Sequence, residues 1–282
     1  MRVLRSRAEI LDARAGAGAG PVAAVLTMGA LHAGHLDLVA EARRQVGSRG
    51  TVVLTVFVNP LQFGPGEDLA RYPRSLDADI DAATSAGVDL LYAPRVQDVY
   101  PDGAATITVD PGELGSVLEG AARPTHFRGV LTVVAKLLHL VGPQVTVFGE
   151  KDYQQLILVR RMCRELELGV RVVGLPTVRE PDGLALSSRN AYLTPSQRAA
   201  AVSLSQALRA GQDAATGGAD AALSAARDVL AGRPEVDVDY AVVTDPELGP
   251  APVAGAARML VAARLGTTRL LDNASLALGA PA

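Results

Sequence analysis

Val22-Ala23-Ala24-Val25-Leu26-Thr27-Met28-Gly29-Ala30-Leu31-His32-Ala33-Gly34-His35 is the stretch on which the reading of this chain turns. Its first six residues are largely apolar and read as a strand buried on both faces. Leu36, Val39 and Ala40 then recur at helical spacing. A strand that runs through a glycine-containing turn into a helix start presents unpaired N–H groups and the positive end of a helix dipole, which suits phosphate. His32 and His35 are three residues apart and share one face of the first turn. There they can donate hydrogen bonds to phosphate oxygens as charge develops in a transition state. A pair of structural histidines or a metal pair are the alternatives. Zinc helices more often space their ligands i, i+4, and no third ligand cluster is evident. H-x-G-H at a strand–helix junction therefore points to nucleotidyl transfer.

Working outward, Thr51–Val58, Leu90–Ala93, Val145–Phe148 and Val170–Leu175 also read as strands, and 36–46, 75–86, 130–141 and 153–167 as helices. Runs such as Val52-Val53-Leu54 are apolar throughout. The expectation is an α/β fold, a Rossmann-like parallel sheet with helices on both faces, whose ligands bind beyond the carboxyl ends of the strands. The texture changes after about residue 175, with Gly174 and Pro176 forming a short hinge. Thr194-Pro195 has the composition of a helix cap and first helical position, and an alanine-rich helix follows. A second helix is expected near 219–231, then strands at Val236–Val243, Met259–Ala263 and Thr268–Leu271. The organisation expected is a nucleotide- and substrate-binding domain over 1–175 and a smaller C-terminal α+β lid domain over 176–282. Gly16, Gly18 and Gly20 suggest a dinucleotide loop, but their spacing is wrong and they precede a strand, so they read as a flexible surface loop. The Ala/Gly stretches at 13–19 and 214–219 read as short loops.

The bulk properties narrow the function classes. The chain has 282 residues, 49% hydrophobic, with a net charge of −3. Nothing in that balance marks a nucleic-acid or anionic-membrane partner. No apolar run reaches the ~18 residues of a membrane span, and no signal core opens the sequence. A cytoplasmic protein is expected. Cys163 is the only cysteine and reads as a buried, inert thiol.

Thr27–His35 resembles the signature of the nucleotidyltransferase superfamily, and the string Thr27-Met28-Gly29-Ala30-Leu31-His32 resembles the pantoate–β-alanine ligase family in particular. Five further segments match that family in order: Phe57–Phe63, Arg71–Arg74, Thr125–Val130, Phe148–Gln155 and Leu186–Asn190. The resemblance implies that ATP and (R)-pantoate give pantoyl adenylate and pyrophosphate, and that β-alanine then attacks to give pantothenate and AMP. An ordinary carboxylate is already ionised at neutral pH, so the first step needs alignment and charge neutralisation rather than a general base.

The same resemblance implies roles by position. His32, His35 and Lys151 are the catalytic groups, His35 the main donor to phosphate. Met28, Gly29, Ala30, Leu31, His32, Ala33, Gly34 and His35 form the ATP loop. Gly149, Glu150, Lys151 and Asp152 form a second ATP segment with ribose contacts at Gly149 and Asp152. Val178 offers a backbone contact to adenine, and Leu186, Ser187, Ser188 and Arg189 a closing phosphate clamp. Gln62 and Gln155 hold pantoate, with Asn59 ordering that pocket and Arg123 near the substrates, a surface salt bridge being the alternative for Arg123. Mg²⁺ is expected with ATP, and Asp79 is the candidate ligand, preceded by Ala78 where some relatives carry a second acid. Asp77 and Asp81 make an exposed acidic helix face the alternative. A homodimer is implied by resemblance only.

Overall fold

The computed structural model describes residues 1–16 and 20–279. The first unit comprises Met1–Gly149 and Gln154–Leu175, and the second Glu150–Tyr153 and Pro176 onward.

In the first unit the elements run β1 (Arg2–Leu4), α1 (Arg7–Gly16), β2 (Val22–Thr27), α2 (Ala33–Val46), β3 (Thr51–Val56), α3 (Leu76–Ser85), β4 (Leu90–Tyr92), α4 (Val96–Val99), α5 (Glu119–Ala122), α6 (His126–Val141), β5 (Val145–Gly149), α7 (Tyr153–Glu165) and β6 (Arg171–Leu175). The six strands are parallel in the order β1-β4-β3-β2-β5-β6. Alternate residues of β2, β3 and β5 (Ala23, Val25, Val52, Leu54, Val145, Val147) pack with Leu38, Val39 and Ala42 of α2 and with Ala83 of α3. α6 contacts β2 as well and lies beside α1. The expected doubly covered sheet is therefore present. From β2 the chain proceeds outward through β3 to β4, and from β5 outward to β6. The order reverses between the neighbours β2 and β5, and such a switch point opens a crevice at the strand ends. β2 leads into the histidine segment and β5 into Glu150.

The second unit contains α8 (Pro195–Ala214), α9 (Ala219–Ala231) and an antiparallel sheet β7-β8-β9 (Asp237–Thr244, Gly255–Leu265, Thr268–Leu278). Thr194 caps α8 by accepting from Gln197 N, with Pro195 at the first helical position, as its composition suggested. One face of the sheet (Ala257, Met259, Val261, Leu270, Leu276) packs against Leu204, Leu208, Ala222 and Ala226 of the two helices.

Several boundaries differ from expectation. β1 and α1 were not foreseen, because three strand residues and a weakly amphipathic helix carry little periodic signal. β3 stops at Val56, and as an interior strand it spends Val52–Leu54 on core. The glycine reading also changes. Gly16 closes α1, and a Cβ at Gly20 would sit 2.3 Å from the Arg49 carbonyl oxygen, so Gly20 is a packing glycine. Gly18 lies outside the described residues. Residues 214–219 are the end of α8, a 3₁₀ turn and the start of α9 rather than a loop. Cys163 is buried, and burial pushes its thiol up to about 11, as fits an inert side chain. Among the described residues no helix is long and apolar enough to cross a membrane.

Candidate active site

β2 ends at Thr27, whose hydroxyl donates to Thr55 O at 2.7 Å and accepts from Gly29 N at 3.2 Å. The chain then turns sharply. Gly29 has φ +81, and a Cβ there would meet Asp79 Oδ2 at 2.7 Å and Val56 Cγ1 at 2.9 Å. Ala30 also has positive φ, +52, a conformation that a non-glycine residue adopts only when something holds it. Asp79 is what holds it. Its carboxylate, 3% exposed, accepts from Ala30 N at 3.2 Å and Leu31 N at 2.8 Å. The neighbouring Asp77, Ala78 and Asp81 are exposed, so the acidic face of α3 is real but Asp79 is not on it.

That geometry gives Asp79 a structural role of its own, the holding of the turn at Ala30 and Leu31. Asp79 faces backbone donors, and no group of three or more His, Cys, Asp or Glu side chains suited to a cation occurs among the described residues. Asp79→Ala is expected to slow nucleotide chemistry about 100-fold, through a loop displacement on the order of 1 Å. It should also destabilise the fold by about 2 kcal/mol, since two half-buried N–H groups lose a charged acceptor. Activity and urea unfolding measured on one preparation check this. Restoration by excess Mg²⁺ would show instead that the carboxylate holds the cation.

His32 caps α2 in extended conformation, and its N–H donates to His35 Nδ1 at 3.4 Å. The rings lie 4.0 Å apart at 32°. With Nδ1 of His35 accepting from the His32 N–H, Nε2 is the ring nitrogen that carries the donor hydrogen of the neutral side chain. The N–H groups of Gly29 through His32 are thus all committed inside the loop. Ala33 and Gly34, the first two residues of α2, carry N–H groups that helix geometry leaves without an intrahelical acceptor. Within the expected loop Met28–His35, helix geometry thus leaves the N–H groups of Ala33 and Gly34 as donors to an anion.

The second strand end supplies the glutamine. Asn59, 1% exposed, spends its whole amide: Oδ1 accepts from Leu61 N (3.3 Å) and Tyr100 OH (2.8 Å), while Nδ2 donates to Gly129 O (3.1 Å) and Gln62 Oε1 (3.2 Å). Asn59 is thus a scaffold for the Pro60–Gln62 turn. The Gln62 amide reaches Met28 Sδ at 3.0 Å, which joins the two loops. A Cβ at Gly129 would lie 2.2 Å from Leu61 O, so the close passage of α6 under this turn requires glycine.

Arg123 does not stand ready for a substrate carboxylate. It makes a two-pronged pair with Glu67, reaches Gln62 O at 3.3 Å, and its guanidinium meets His126 Nε2 at 3.1 Å. Burial alone would raise the Glu67 carboxyl, but the hydrogen bond and charge of Arg123 outweigh it and hold the group below the usual carboxylate range. Of the adjacent glutamines on α7, Gln154 is buried and ties down Leu114, Val117 and Glu119. Gln155 is only partly buried, which leaves it the better suited of the two to a ligand. Gly149 ends β5, and a Cβ there would meet nothing within 4 Å.

In the second unit Glu150–Asp152 form a 3₁₀ turn. The Lys151 side chain is 18% exposed, with Asp152 3.8 Å away. Asn273 and Arg258, which sequence reasoning missed, bond to this turn. Val178 and Leu186 face each other across a small hairpin, with Leu186 N donating to Val178 O at 2.9 Å. Ser187 Oγ accepts from Arg189 N at 3.3 Å, so this serine caps the Ser188–Tyr192 turn. The structure thus gathers His32, His35, Gln62, Asn59 and Asp79 in one unit. It gathers Lys151 with its turn, and separately Val178, Leu186 and Ser187–Arg189, in the other.

A pantoate-beta-alanine ligase family model matches residues 2–275. Pantothenate synthetase from Salinispora arenicola is 56% identical over 98% of both chains. That from Nocardia farcinica is 57% identical over 92% of this chain and 80% of its own length. Among solved structures, pantothenate synthetase from Thermus thermophilus superposes with a TM-score of 0.90 at 52% identity, over 97% of this chain and 99% of its own. The pantoate-beta-alanine ligase from Francisella tularensis, complexed with beta-gamma ATP and beta-alanine, gives 0.81 at 32% identity over 97% of both chains.

Proposed function

The chain belongs to the pantoate–β-alanine ligase family and forms pantothenate, and on that premise we propose the route: ATP activates (R)-pantoate as pantoyl adenylate, and β-alanine completes the amide. A pantoate carboxylate oxygen attacks the α-phosphorus, and the bond to the pyrophosphate oxygen breaks. The β-alanine nitrogen, once deprotonated, attacks the acyl carbon, and the bond to AMP breaks.

The observation that carries this reading is the His32/His35 pair at the start of α2, with the His35 Nε2–H defined as a donor by the bond at Nδ1. A step that begins with an ionised nucleophile and ends with pyrophosphate leaving needs preorganised donors where charge develops. His35, His32 and Lys151 supply them, with the backbone of Ala33 and Gly34. Gln62 and Gln155 are proposed to hold pantoate, since amides serve both its hydroxyls and its carboxylate. Asn59 fixes Gln62 through a bond at 3.2 Å. Gly149 leaves room beside β5 for a ribose, with Asp152 as acceptor of its hydroxyls. Val178 is proposed against adenine, and Leu186, Ser187, Ser188 and Arg189 against the phosphates. Mg²⁺ is proposed to arrive on the ATP phosphates, where it would neutralise charge, with few protein ligands. A cytoplasmic homodimer remains a proposal carried by the family resemblance.

Isotope transfer tests the route. Pantoate labelled with ¹⁸O in its carboxylate should deliver one labelled oxygen to AMP in every turnover. AMP free of label would rule out the adenylate.

A further inference from the structure

Arg258 on β8 and Asn273 on β9 have no role in the chemistry above, yet both are buried, at 8% and 3% exposure. The register pairs Arg258 with Ser275 and Leu260 with Asn273. Arg258 and Asn273 are therefore diagonal neighbours on one face of the sheet, opposite the face that packs on α8 and α9. Asn273 Nδ2 donates to two successive carbonyls, Glu150 O at 2.9 Å and Lys151 O at 2.8 Å. Its Oδ1 accepts from Arg258 Nε at 2.7 Å. The same guanidinium donates to Glu150 Oε2 at 3.0 Å and lies 3.9 Å from the Tyr153 ring centroid. Tyr153 OH in turn donates to Pro246 O at 3.0 Å. Buried amides and guanidinium groups are costly unless fully partnered, and here most of the partners belong to the segment Glu150–Tyr153, the 3₁₀ turn and the first residue of α7.

We infer that Asn273 and Arg258 are positioning residues for Lys151: they fix the backbone from which its ammonium is presented. The inference rests on the role proposed for Lys151 and deepens it. A lysine head hangs on a flexible four-carbon stem, so its mean position depends on where that stem is anchored. The two carbonyl bonds anchor it at its own residue and at the one before.

Asn273→Asp tests this. The substitution is nearly isosteric and keeps an oxygen for Arg258, but it turns an oxygen toward the two carbonyls in place of the amide donor. Pantoate-dependent exchange of pyrophosphate into ATP, at saturating ATP, should fall about 10- to 100-fold. Added to Lys151→Ala, the same substitution should cause no further fall, because the group it acts through is gone. Single-turnover measurements with enzyme in excess keep the residual rates visible. A rate within about twofold of the parent, or an equal fall in both backgrounds, overturns the inference. Should Asn273→Asp fail to fold, Arg258→Lys carries the same cycle, since it keeps a cation near Tyr153 and loses the fork. Parental activity in Lys151→Ala alone would instead overturn the role of Lys151, so the two failures are distinct.

Discussion

His35→Ala is expected to slow adenylate formation about 100- to 1,000-fold, the usual cost of removing one preorganised donor to developing charge. The substitution removes two things at once, the Nε2–H donor and the acceptor for His32 N–H. His35→Asn separates them. Its side-chain oxygen can take the place of Nδ1 and accept from His32, but nothing replaces Nε2–H. The expectation is that His35→Asn restores most of the stability lost in His35→Ala, about 1 kcal/mol, and little of the rate. Recovery of the rate in His35→Asn would mean that the ring shapes the loop and does not touch phosphate. Single-turnover formation of adenylate is the measurement, because steady-state turnover would mix this step with aminolysis and product release.

The second large effect is at Lys151. Its side chain is mostly buried, and the ion pair with Asp152 is long at 3.8 Å. Lys151→Ala therefore costs the fold little, while adenylate formation should fall by about 100-fold or more. Lys151→Arg should recover only part of that, because a planar fork cannot occupy the site of a compact ammonium. A thermal midpoint lowered as far as the rate falls would mark Lys151 as structural. An unchanged midpoint with a collapsed rate is the expected pair of results.

What the sequence disclosed, and what it did not, follows from how local each signal is. The strand before Thr27 and the H-x-G-H segment were legible because apolar runs and short spacings are written into neighbouring residues. The role of Asp79 was hidden. Asp77, Asp79 and Asp81 look alike on the page, and only the helix phase of α3 turns Asp79 inward toward Ala30 and Leu31. Arg123 looked like a substrate contact because a guanidinium suits a carboxylate, and the carboxylate it meets is Glu67, 56 residues away in sequence. β8 and β9 proved longer than expected because Arg258, Asp272 and Asn273 interrupt the apolar pattern. Those residues are buried against distant partners: Asp272 against Arg179, and Asn273 against the turn at Lys151. A polar residue in a strand signals an edge or an exposed face unless its partner is known, and that partner lies 122 residues away.

The central claim is that pantoate is activated before β-alanine takes part. Exchange of labelled pyrophosphate into ATP measures it directly. Folded protein given ATP, Mg²⁺ and pantoate, with β-alanine omitted, should catalyse exchange, and omission of pantoate should abolish it. Exchange that appears only when β-alanine is added, in protein that makes pantothenate, would contradict the account.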